Sequence, residues 1–173
     1  MAIIAALLSM LAIFSDLYAR RIPNAWLLES ITIGSGLIVF SWLQGASGSA
    51  WPALLGLLTG IISLLPFYIF RWMGAGDVKF FAVLGFLLGA KALLPIWTIA
   101  SAIAGIHAVV ILISRSWFTR ATPVWAMAQT WIATSSFRQK ISKARQGREG
   151  LPYAAWLGVG ALVTIFNPEL MHW

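Results

Sequence analysis

Six long apolar runs, parted by short polar or glycine-containing breaks, dominate the chain. The pattern predicts spans at approximately 1–19, 25–43, 51–72, 77–94, 96–114 and 151–168. These lengths approach the roughly 20 residues that a helix needs to cross a bilayer core. Lipid offers no partner for backbone N–H and C=O groups, so such runs must be helical. The alternating pattern of a transmembrane barrel is absent. The expected fold is an all-α membrane protein, a bundle of about six transmembrane helices forming one domain over 1–173. Its early breaks are Arg20 to Asn24, Gln44 to Ala50 and Gly74 to Gly76. The fourth and fifth runs are divided only at Leu94-Pro95.

Composition agrees with lipid and excludes some chemistry. The chain is 60% hydrophobic and 10% charged, with ten tryptophans and no cysteine. There is accordingly no disulfide framework, thiol nucleophile or Cys-based zinc site. His107 and His172 are too few and too far apart to suggest a metal centre, and no cofactor is called for. The first run lacks a basic flank before it, and its Arg20-Arg21 pair follows the apolar stretch. It therefore reads as a retained helix rather than a secretory signal.

Charge then orients the bundle. Alternating the loops puts Arg20, Arg21, Arg71, Lys79, Arg115, Arg120, Arg138, Lys140, Lys143, Arg145 and Arg148 on one side. The other side receives Lys91. Such a bias makes the first side cytoplasmic and both termini non-cytoplasmic. Trp26, Trp42, Trp51, Trp72, Trp97 and Trp117 fall near predicted span ends, as an interfacial belt requires. The long cytoplasmic loop, about 115–150, mixes apolar residues over 123–137 with a basic run over 138–148. It is expected to lie on anionic headgroups of the lipid bilayer. Positive-inside charge accounts for the net +7, so no nucleic-acid partner is expected.

The two aspartates of the chain, Asp16 and Asp77, are its candidate chemistry. Asp16 lies about one turn before the first cytoplasmic loop, and Asp77 opens the fourth span just after the second. Both carboxylates thus fall at similar depth near the cytoplasmic face. Ionisable groups in the membrane are costly and mark function by default. Two carboxylates sharing a low-dielectric site cannot both ionise comfortably and hold one proton between them. The ionised member can then take a proton from water while its neighbour polarises a carbonyl, as in aspartic proteases.

Neighbouring residues suggest support for that chemistry. Gly74 and Gly76 offer backbone freedom and close approach to a ligand. They also leave Asp77 at a fresh helix N-terminus, whose dipole favours a carboxylate. Lys79 is a counter-charge or anchor, and Pro23-Asn24 starts the second span.

Simpler readings compete at each position. An aspartate near a helix end can pair locally, and Arg20 stands at i+4 from Asp16. Glu29 is the rival acidic site. Gly56-x-x-x-Gly60 and Gly85-x-x-x-Gly89 read as packing motifs. His107 reads as a hydrogen-bonded packing residue, and Pro66 as a kink.

The motifs also resemble a known family. Asp16-Leu-Tyr-Ala-Arg-Arg-Ile-Pro-Asn24 is similar to the first motif of type IV prepilin peptidases. Met73-Gly-Ala-Gly-Asp-Val-Lys79 resembles their GxGD signature, and Leu151-Pro152-Tyr153 their closing segment. The resemblance implies a membrane-embedded aspartic endopeptidase of the bacterial cytoplasmic (inner) membrane. Asp16 and Asp77 would be its catalytic pair, acting near the cytoplasmic face. Its partner would be a prepilin-like membrane protein, from which it removes a short basic leader. Without an N-terminal Cys-x-x-Cys segment, the chain looks like the compact form found beside Tad/Flp-type pilus systems, for which methyltransfer is not expected. Tyr153 is followed by Ala154-Ala155 rather than the family's frequent Gly-Pro, so the closing segment is given no catalytic role. Two other readings stay open from sequence: a non-catalytic assembly or transport component, and a GxGD protease acting on other membrane substrates.

Overall fold

The computed structural model describes residues 1–45, 49–118 and 152–171, with only the backbone of 115–118. The expected loop helix and basic arm fall largely on 119–151, outside the described residues. Those residues form α1 (Ala2–Ala19), α2 (Asn24–Leu43), α3 (Trp51–Ile69), α4 (Ala75–Leu88), α5 (Ala90–Phe118) and α6 (Tyr153–Phe166). A short 3-10 turn follows at Pro168–Met171. Among the described residues there is no strand. Four helices, α1, α2, α3 and α5, are long and apolar enough to cross a membrane. At 14 residues each, α4 and α6 are about 21 Å long.

Helix α4 is the central strut. Its sequence is apolar on every side, the mark of a helix buried all round. Val78 and every residue from Phe80 to Leu87 are buried, and all five other helices touch it. Between apolar helices in lipid, packing rather than the hydrophobic effect drives association, and small residues allow close approach. Gly56 of α3 faces Gly85 of α4 backbone to backbone, and a Cβ on Gly60 would come within 2.7 Å of the Ala82 Cα. On the other flank α6 is wedged between α1 and α5. A Cβ on Gly158 would meet Ile13 at 2.7 Å, and one on Gly160 the Ile96 carbonyl at 2.6 Å. The packing reading of Gly56, Gly60 and Gly85 therefore holds.

Gly89 behaves differently, and it corrects the expected boundary. The fourth helix ends at Leu88, not near Leu94-Pro95, because Gly89 turns the chain with φ +86°. Pro95 instead lies early within α5, where its missing N–H forfeits a single helical bond. Trp97 consequently sits about two turns inside α5 rather than at a span end. His107 also departs from expectation. Its ring meets the Trp156 indole edge-on at 5.3 Å, and its Nδ1 has no hydrogen-bond partner among the described residues.

One pair of neighbours is missing. Helices α2 and α3 both lean on α4 but make no close approach to each other.

Candidate active site

The C-terminus of α1 and the N-termini of α2, α4 and α6 meet at one end of the bundle. At the end of α1, Arg20 adopts a left-handed conformation (φ 51°) and its N–H returns to the Asp16 carbonyl. Chain reversal there leaves the Asp16 side chain pointing into the bundle, 7% exposed. Its Oδ2 accepts a 3.0 Å hydrogen bond from the Ala155 backbone N–H in the first turn of α6.

Asp77 is positioned by its own helix start. Gly74 is the N-cap of α4, and Asp77 stands three residues on, in the first turn. Its Oδ2 accepts the Gly74 backbone N–H at 3.1 Å, the return bond of a capping box. The carboxylate therefore satisfies an otherwise orphan donor while sitting at the positive end of the helix.

A cavity of about 520 Å³ brings these groups together. Asp16 and Asp77 both line it, with Arg20, Arg21, Gly74, Gly76 and Lys79 among its other walls. Asn24 lines the cavity, and Lys79 Nζ donates to Asn24 Oδ1 at 3.4 Å. Pro23 stays outside the lining and serves as the N-cap of α2. Glu29, the rival acid, is exposed on α2 and lines neither this cavity nor the groove beside it. Among the described residues no cluster of His, Cys, Asp or Glu is arranged to hold a metal ion.

The glycines act differently from the expectation. Gly74 has φ −75° and ψ 149°, ordinary extended backbone, and Gly76 has no positive φ. The left-handed positions at this end are Arg20 and Arg71. Arg71 closes α3 with two bonds, Arg71 N–H to Tyr68 and Trp72 N–H to Phe67. Together with the Phe67–Trp72 ring contact at 6.2 Å, these make a Schellman motif with arginine where glycine is usual. What Gly76 supplies is room. A Cβ there meets nothing within 4 Å, so the cavity wall at Gly76 is bare backbone.

One participant was missed from sequence. Tyr153 lines the cavity, and its hydroxyl pairs with Ser101 Oγ at 3.0 Å. Together with the Ala155 N–H on Asp16, this makes the first turn of α6 a wall of the site. The signal was present in Leu151-Pro152-Tyr153, but the spacing of α6 from both aspartates hid the contact.

The described residues thus form an all-helical protein with helices long and apolar enough to cross a membrane, in which two aspartates line one cavity at the bundle's end. Residues 3–109 match the type IV leader peptidase family, and the chain belongs to that family. The matched stretch contains both aspartates and ends before α6. No curated protein and no solved structure matches the chain.

Proposed function

We propose that the protein is an aspartic endopeptidase of the bacterial inner membrane that cuts the basic leader from prepilin-like precursors. The observation that carries this reading is the single cavity lined by Asp16 and Asp77, within a chain of the leader peptidase family. With one proton shared between them, the ionised carboxylate removes a proton from a water molecule. The protonated carboxylate donates a hydrogen bond, then its proton, to the scissile carbonyl oxygen. Attack by the hydroxide on the carbonyl carbon gives a gem-diol. Its collapse breaks the C–N bond as a proton passes to the leaving amine.

The flanking residues act on this chemistry by position. The Ala155 and Gly74 N–H groups each donate to one carboxylate oxygen, which fixes how Asp16 and Asp77 face the cavity. The bare backbone at Gly76 lets an extended peptide approach Asp77 closely. Arg20, Arg21, Arg71 and Lys79 cluster at this end, which by the positive-inside rule faces the cytoplasm. Both termini then lie outside, with all six helices embedded in the bilayer.

The test is co-expression of a prepilin-like precursor with wild type, Asp16→Asn or Asp77→Asn. Leader removal is followed by gel shift and the new N-terminus is sequenced. Wild type cuts at the leader boundary and neither variant does. An uncut precursor beside well-expressed wild type would favour an assembly or transport role. A cut inside the apolar segment would point to a protease with other membrane substrates.

A further inference from the structure

Among the described residues nothing closes the gap between α2 and α3. It forms a groove of about 790 Å³, walled by Leu28 and Ile31 of α2 and Ile61 and Leu65 of α3, and floored by Val78 and Ala82 of α4. Apart from Asn24, Lys79 and the Tyr68 hydroxyl, its lining is apolar. Gly60 keeps the α3–α4 contact tight beneath it, so α3 stays pinned to the floor while α2 stands off.

Three residues make the groove continuous with the aspartate cavity. Asn24, Ala75 and Lys79 line both. Val78 adjoins Asp77 on α4, and Ala82 lies about 7.5 Å from Asp77 along the axis at 1.5 Å per residue. The groove therefore begins at the level of the carboxylates and runs away from them, along α4 toward the middle of the bundle.

We propose that this groove seats the apolar helix of the precursor, entering sideways from the lipid, so that its first turns lie on α4. This rests on the peptidase reading above. Size supports a helix as the occupant. A helix about 10 Å across fills roughly 80 Å² in section, so the groove takes about 10 Å of it, or two turns. Chemistry supports the same occupant. A peptide cut at Asp16 and Asp77 continues on one side as an apolar helix, and the surface adjoining the carboxylates is apolar where that helix must go. The polar junction at Asn24 and Lys79 marks where the peptide leaves helix geometry and offers an extended bond to the acids. A lipid acyl chain has no need of an opening onto a carboxylate cavity.

The chain's lack of cysteine makes the test direct. Ile31→Cys and Ile61→Cys place a thiol in the groove, and Leu112→Cys places one on the exposed face of α5 (66% exposed) as control. Each is made in the full chain carrying Asp77→Asn. The probe is a co-expressed precursor with a short Lys/Arg leader, about 20 apolar residues and one cysteine roughly two turns past the cut. Groove thiols should form disulfides with it at least about tenfold more than Leu112→Cys, since only they are within contact reach. In addition, Ile61→Trp should raise KM about tenfold with kcat unchanged, the signature of lost uniform binding.

The outcomes separate the two proposals. If wild type cuts the precursor but the groove thiols cross-link no better than Leu112→Cys, the docking proposal falls alone. Groove cross-links with no cutting by wild type would retain the docking site and remove the peptidase. Neither cutting nor cross-linking would overturn both.

Discussion

The backbone N–H of Ala155 donates to the Asp16 carboxylate at 3.0 Å, tying α6 to α1 across 139 positions of sequence. An acid in the first helix is thus oriented by the last. The bond makes Asp16 both a catalytic candidate and a structural acceptor, and the two roles separate by substitution. Asp16→Asn keeps an acceptor oxygen and should unfold near the wild-type temperature while losing at least about 100-fold in cleavage. Asp16→Ala leaves the Ala155 N–H unpaired in a buried site and should also cost about 1–3 kcal/mol of stability. Thermal unfolding in detergent beside a cleavage assay reads both.

A shared proton predicts a bell-shaped pH dependence of cleavage. In acid both carboxylates are protonated and none can accept a proton from water. In alkali both are ionised and none can donate to the carbonyl. The limbs belong to the pair rather than to either residue. A rate that keeps rising through the alkaline range would contradict the shared-proton scheme.

Arg71 closes α3 in a conformation that suits glycine (φ 60°). Arg71→Gly relieves the clash of Cβ with the backbone, partly offset by the greater freedom of glycine in the unfolded chain. Stability should rise by about 1 kcal/mol. A drop in melting temperature would mean that the arginine side chain contributes more than its backbone costs.

Small-residue packing makes opposite predictions at two glycines. Gly85→Ala forces a methyl group against the Gly56 carbonyl, and it should cost about 1–3 kcal/mol or block folding. Gly36→Ala on α2 meets nothing within 4 Å and should raise stability by up to about 1 kcal/mol. Comparing the melting temperatures of the two variants tests whether α3 and α4 pack as described.

Periodicity and motif spacing made much of this molecule legible. The six helices followed from run length, because lipid leaves an apolar run no alternative to a helix. That Asp16 and Asp77 line one cavity was legible from the loop count, which puts the end of the first span and the start of the fourth on the same side. Gly89 was harder to read. Proline is the more familiar helix breaker, yet Pro95 is tolerated near the start of α5, while Gly89 reverses φ and ends α4. The backbone role given to Gly74 and Gly76 was misplaced for a related reason. Composition shows where a left-handed turn is cheap, not where the chain needs one, and here Arg20 and Arg71 take those positions. Tyr153 and Ala155 became part of the site through tertiary contact alone, since nothing local links α6 to either acid.

The most direct test of the central claim is the cleavage rate of a defined precursor by purified protein in lipid vesicles. Wild type, Asp16→Asn and Asp77→Asn are compared at equal folded concentration. The paired-carboxylate account predicts removal of the leader by wild type and at least about a 100-fold loss for each variant. Wild-type rates from either folded variant would contradict it.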